Sequence, residues 1–150
     1  MITRHLIPLF QKDLDKLTEE INLYPKEEQL WKILEGTANS GGNLCLHLTG
    51  NLQHFVGAVL GDSGYVRNRD AEFRVKNVPR DKLLEDIETT KAVVTDTLEQ
   101  LSKHDLQKDY LLPVFDEKMN TGHFLIFLLS HLNYHLGQIN YHRRIVTGAS

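Results

Sequence analysis

The sequence predicts an all-α fold, a four-helix bundle, on three observations. Apolar side chains recur at intervals of three and four along four long segments, the period of a helix with one buried face. No set of segments sustains the alternation of half-buried strands. The chain has 150 residues, 41% of them hydrophobic and 25% charged, which is the size and balance of one domain that buries its own core. A single helical domain over residues 1–150 is therefore expected.

The first helix is expected over residues 2–23, where Leu6, Leu9 or Phe10, Asp13 or Leu14, Leu17 and Ile21 trace one face. Pro25 interrupts it, because proline lacks an amide hydrogen and restricts the residue before it. Lys26-Glu27-Glu28-Gln29 then fits a short helical turn leading through Trp31, Ile33 and Leu34 to a stop at Gly36. Residues 36–43 read as a loop, with Ser40 or Asn43 available to cap the second helix, which should run to about residue 60. Residues 61–70 have neither period and read as a long ordered loop. Pro79 and Asp81 mark the start of the third helix, whose stripe of Leu83, Leu84, Ile87, Thr90 or Lys91, Val94, Leu98 and Leu101 extends to about residue 102. The pattern lapses between 104 and 120, where Tyr110-Leu111-Leu112-Pro113-Val114-Phe115 fits a short extended segment covering one end of the core. Thr121-Gly122 opens the fourth helix, expected to reach about residue 146.

Charge and composition narrow the function. With 17 basic and 20 acidic side chains the formal net charge is −3, so the basic excess that phosphate backbones require is missing and nucleic acid is not an expected ligand. No apolar run approaches the roughly 20 residues of a membrane helix, and the first residues lack a signal-like apolar stretch. The expectation is a soluble cytoplasmic protein. Cys45 is the only cysteine, which excludes an internal disulfide and a Cys-rich zinc site. Any metal site has to be built from histidine and carboxylate. The charges of Lys12-Asp13, Asp15-Lys16 and Glu19-Glu20 read as a solvated helix face.

Eight histidines in so short a chain are the strongest functional signal. In the fourth helix the inward stripe reads Phe124, Leu128, His131, His135, Gln138 and His142. Four residues of helix give about 6 Å of rise and about 40° of rotation, so His131 and His135 can converge on one ion. In the second helix Leu44, His47, Asn51, His54 and Ala58 share a face, and an unpaired buried imidazole costs a few kcal/mol. Polar stripes on two core-facing helices imply mutual satisfaction or a metal. His47 and His54 are about 10 Å apart in rise, so only one completes a triad with His131 and His135, and spacing leaves open which.

Leu46-His47-Leu48, together with His131-Leu132-Asn133-Tyr134-His135-Leu136-Gly137-Gln138-Ile139 and the order of elements, resembles the DinB-like (YfiT-like) four-helix-bundle proteins. The resemblance implies a facial triad of His47, His131 and His135 for a divalent metal, zinc or nickel. His54 then becomes a nearby polar residue, facing the cavity. It also implies a metal-dependent S-transferase acting on a low-molecular-weight thiol, and pairing into a homodimer through bundle helices. Three neutral imidazoles leave a coordination position open, as catalytic zinc does, where a water or a thiol is acidified.

Around that triad, Asn51 and Gln138 are candidates to fix ring tautomers or orient a ligand. Tyr65, Arg67 and Arg69 follow the second helix and are candidates for substrate binding, an arginine there gripping a carboxylate. The competing reading pairs these arginines with Asp70 and Glu72 at the surface. Cys45 is about 200° around the helix from His47 and reads as a small core residue. His123 and His142 read as packing or surface residues, and His5 and His104 as terminal or loop residues. The alternatives to thiol transfer are a metal-dependent hydrolase, a bundle that binds metal or a small ligand without turnover, and a metal-free bundle.

Overall fold

A computed structural model of the chain describes residues 1–112 and 118–149. Its long helices are α1 (Thr3–Asn22), α2 (Gly41–Leu52), α4 (Arg80–Gln100) and α6 (Thr121–Thr147), joined by the short α3 (Arg69–Arg74) and α5 (Lys103–Gln107). A 3₁₀ turn over Glu27–Trp31 precedes α2, and a π-helical segment over Gln53–Ala58 continues it. Among the described residues no strand forms, and an isolated antiparallel bridge joins Asp109 to Asn120. Both α1 and α2 pack against α4 and α6, so the four long helices close a bundle. No helix among the described residues is long and apolar enough to cross a membrane.

The sequence accounts for the helix limits. Ser40 Oγ accepts from Asn43 N (3.1 Å) at the start of α2, and Asn120 Oδ1 accepts from His123 N (2.8 Å) at the start of α6. Gly148 ends α6 in the left-handed region at φ 69°, a conformation that favours glycine. The core stripe of α1 is Leu6, Phe10, Leu14, Leu17 and Ile21, all buried. Almost the whole of α2 is buried, because neighbours close on it from every side. Its glycines permit this: a Cβ on Gly42 would meet the Trp31 ring at 2.8 Å.

Several expectations need correction. The helix begun by α2 is not α-helical to residue 60: from Gln53 its turns widen, with Val59 N donating to His54 O (3.0 Å). The loop expected over residues 61–70 ends early: Arg69–Arg74 form α3, with Asn68 Oδ1 accepting from Ala71 N (3.1 Å). Residues 103–107 form α5, closed by reciprocal bonds between Ser102 and Asp105. The extended segment expected at 110–115 falls partly on residues 113–117, outside the described residues. Tyr110 does cover an end of the core, with its hydroxyl donating to Phe55 O (2.6 Å). In α6 the buried stripe is Phe124, Leu125, Leu128, Leu132, Leu136 and Ile139, while His131 and His135 are half-buried beside it and Gln138 is exposed.

Glu20 is not on a solvated face. It is 1% exposed, and its carboxylate accepts from Arg143 Nε (2.6 Å) and Asn140 Nδ2 (2.7 Å), clamping α1 to α6. Burial acts to raise its pKa, but the bonds from Arg143 and Asn140 and the guanidinium charge together hold it below the ordinary carboxylate value. Arg143→Met strands that buried charge and should cost about 3–5 kcal/mol in urea unfolding. The double variant Glu20→Leu with Arg143→Met should regain most of the loss, since an apolar pair removes the stranded charge; a double variant as weak as the single one would contradict this account.

Candidate metal centre

His47 from α2 and His131 and His135 from α6 place one ring nitrogen each within 4.8 Å of one another. His131 Nε2 lies in the middle, 3.2 Å from His47 Nε2 and 3.1 Å from His135 Nε2. Two nitrogens bound to one divalent ion at about 2.0–2.1 Å are themselves about 3.0–3.4 Å apart, so both separations suit ligation.

The outer nitrogens show which lone pairs point inward. His47 Nδ1 is 3.1 Å from Glu72 Oε1; an ionised carboxylate only accepts, so Nδ1 carries the hydrogen and Nε2 is bare. His135 Nδ1 donates to Gln138 Oε1 (2.7 Å), and Gln138 is held in that orientation by its own Nε2, which donates to Tyr134 OH (3.2 Å). His135 Nε2 is therefore bare as well. His131 has one hydrogen and cannot satisfy both neighbours, and its Nδ1 is buried with no partner. A purely structural histidine looks different: His142, also buried, accepts from Tyr24 OH (2.6 Å) at Nδ1 and donates from Nε2 to Lys32 O (2.7 Å). Converging bare nitrogens, with the two outer rings oriented by hydrogen bonds behind them, are what a cation requires.

Glu72, which sequence reasoning offered only as a surface partner for the arginines, is buried against His47. It is 6% exposed and also accepts from Arg67 Nε (2.9 Å) and Nη2 (2.9 Å), a forked pair. Burial acts to raise its pKa, yet the bonds from His47 and Arg67 and the charge of Arg67 keep it below the ordinary value. Its backbone is held too, since Asn43 Nδ2 donates to Glu72 O (3.0 Å) and Val75 O (2.8 Å). The carboxylate presses against α2 at Gly50, where a Cβ would collide with Glu72 Oε2. The signal for α3 was present in Asn68, a cap residue followed by acidic Asp70 and Glu72 in the first turn.

Other candidates fall in different places. Asn51 is buried with its Oδ1 unpartnered and makes no bond to a histidine, so Glu72 and not Asn51 orients His47. His54 lies outside the three-His group, carried off by the π-helical segment, with its ring edge-on to Phe55 at 4.8 Å. Arg67 pairs with Glu72 inside the protein and not at the surface. Arg69 is exposed, its guanidinium 5.2 Å from the Phe73 ring centroid. Tyr65 lines a cavity of about 260 Å³ with Leu46, Thr49 and Glu72, and none of the three histidines lines it. Cys45 is buried away from the centre, and burial pushes its thiol pKa up.

The sequence matches, over residues 6–150, the family described as "Protein of unknown function (DUF1572)". The chain belongs to this family. Among solved structures it is similar to YjoA, a DinB-like protein from Bacillus subtilis, with a TM-score of 0.71 and 18% identity over 97% of this chain and 94% of that one. At that identity the likeness is one of fold, and the fold is DinB-like. No curated protein matches the sequence. The resemblance read from the histidine motifs thus agrees with both comparisons, and the three histidines form a group able to hold a metal ion in that fold.

Burial, followed by the neighbouring His135, His47, Arg67 and Arg69, pushes the His131 pKa down to about 4. Burial also lowers that of His135, against a hydrogen bond to Gln138 that acts to raise it, and that of His142. The unfolded chain protonates these rings near their ordinary value of about 6.5, so below it the unfolded state binds more protons than the folded one. Stability of the metal-free protein should therefore fall as pH drops from about 6.5 toward 4, read as a falling urea midpoint, and His131→Asn should flatten the slope. An unchanged midpoint across that window would refute the assignment.

Gly50 supplies a second test. Alanine in place of a helical glycine normally gains about 0.5–1 kcal/mol, but overpacking costs about 1–3 kcal/mol, so at Gly50 the collision with Glu72 should win. Gly50→Ala should lower the melting temperature and weaken divalent-metal retention, whereas Gly137→Ala, where a Cβ meets nothing within 4 Å, should raise the melting temperature.

Proposed function

We propose that the chain is a divalent-metal-dependent enzyme whose three-His centre activates a low-molecular-weight thiol for transfer to an electrophile. The observation that carries this reading is the convergence of bare Nε2 atoms, with Glu72 and Gln138 bonded to the outer nitrogens of His47 and His135. Three imidazoles suit zinc or nickel. A divalent ion bound there supplies Lewis acidity that lowers the pKa of a coordinated thiol toward neutrality.

The protein's own groups prepare that chemistry. Glu72 and Gln138 keep hydrogens on the outer nitrogens, so the inner lone pairs stay available to the ion. The Phe73 ring lies 4.8 Å from that of His47, Tyr134 lies 5.1 Å from His135, and Phe127 stacks toward His131 at 6.4 Å. These rings border the histidines. In the transfer, the thiol proton leaves to solvent, sulfur forms a bond to the electrophilic carbon, and the leaving group departs with its electron pair.

Hydrolysis is the weaker enzymatic reading, because it calls for a general base beside the attacking water. Glu72, the carboxylate bonded to the centre, is already committed to Arg67 and His47. Thiol transfer has no such need, because a divalent ion held by the three histidines would itself supply the acidity that ionises a thiol.

Elemental analysis of tag-free protein tests the ligand set. Wild type and His54→Ala should retain close to one divalent ion per chain, and His47→Ala and His135→Ala should lose it. The loaded wild type should then conjugate small thiols to a fluorogenic electrophile at least about tenfold faster than His135→Ala. Metal absent from folded wild type after reconstitution would overturn the proposal; metal bound without turnover would leave a non-catalytic binding bundle.

A further inference from the structure

The two arginines flanking the centre have different electrostatic roles. Arg67 is 11% exposed and gives both its Nε and its Nη2 to Glu72, so the two opposite charges cancel beside His47. Arg69, two residues on, is exposed, and among the described residues no carboxylate pairs with it. Its guanidinium is kept close by the face of Phe73, 5.2 Å from the centroid, and Phe73 in turn packs 4.8 Å from the His47 ring. The chain His47, Phe73, Arg69 therefore leads from the three nitrogens to an uncompensated positive charge at their rim.

The rest of the rim is aromatic: Phe73, Phe127 and Tyr134. With Glu72 paired to Arg67, a divalent ion at the centre and Arg69 beside Phe73 would both be positive, and among the described residues no carboxylate forms an ion pair with Arg69. A ligand that supplies a metal-binding atom and a second, anionic group a few bonds away meets both charges; a neutral ligand meets one.

We propose that Arg69 is a specificity-determining residue that binds a carboxylate on the ligand taken by the three-His centre, so the preferred thiol is an anionic one. This rests on the metal-centre reading above. Guanidinium and carboxylate form a forked, charge-assisted pair here, and the aromatic ring below limits the guanidinium's motion, which reduces the entropy lost on pairing.

Two matched thiols test this on cobalt-substituted protein: mercaptoacetate, which carries a carboxylate, and 2-mercaptoethanol, which does not. Each is titrated while the thiolate-to-cobalt charge-transfer band is followed, so the readout is binding and not turnover. Wild type should bind mercaptoacetate about five- to tenfold more tightly, after correction for the thiol pKa of each compound. In Arg69→Met that ratio should fall to about one, in Arg69→Lys part of it should remain, and in Arg74→Met, altered at the far end of α3, it should be unchanged. Bands with equal affinities in wild type, or a preference that persists in Arg69→Met, would overturn the role of Arg69 while leaving the metal centre standing. No cobalt uptake, or no band with either thiol, would overturn the metal-centre reading and this inference with it.

Discussion

The Glu72 carboxylate is the joint on which the centre depends. A carboxylate 6% exposed is tolerable only when its lone pairs are met, and here His47 and both arms of Arg67 meet them. Each condition for that meeting comes from a different part of the chain. Asn68 starts the short helix that carries Glu72, Asn43 fastens the end of that helix to α2, and Gly50 gives up its side chain so that the carboxylate can lie against the backbone. The orientation of the His47 ring is thus the product of contacts spread over some thirty positions of sequence, and none of those contacts belongs to a histidine motif.

That distribution explains what was legible in the sequence. The four long helices were readable because burial imposes a period, and Leu6, Phe10, Leu14, Leu17 and Ile21 are buried as that period requires. His131 and His135 were readable because their spacing is local to one helix. His47 needed a family resemblance to be preferred over His54, since both share one face of the same helix and spacing admits either as the third ligand. Glu72 was legible as a partner for Arg67 but not as the residue that orients His47: in six residues a helix has no room for an apolar stripe, so only the cap at Asn68 and the acidic first turn marked α3. Glu20 was misread because charged residues on a helix are usually solvated, and its partner Arg143 lies 123 positions away.

The bundle uses polar burial in two opposite ways. At His142 every ring nitrogen has a protein partner, and the result is a fixed joint between α6, Tyr24 and the backbone at Lys32. The same holds for Glu20, Asn140 and Arg143. At the three-His group the outer partners on His47 and His135 are supplied and the inner ones withheld. Satisfied clusters such as the first two hold α1 and α6 in place and keep the backbone around the unsatisfied one from collapsing to pair it internally.

The three nitrogens are drawn from positions far apart along the chain: His131 and His135 are four residues apart, but His47 and His131 are separated by 84. Two of the ligands are in register as soon as α6 is helical, while the third is brought beside them only when the stretch between, which includes α3, α4 and α5, has folded back. An ion bound by all three closes a loop of more than half the chain, and an unfolded chain pays an entropic penalty for any such closure. An ion held by all three would therefore favour the folded bundle over any chain in which α2 and α6 lie apart, and would tie the two ends of that loop together.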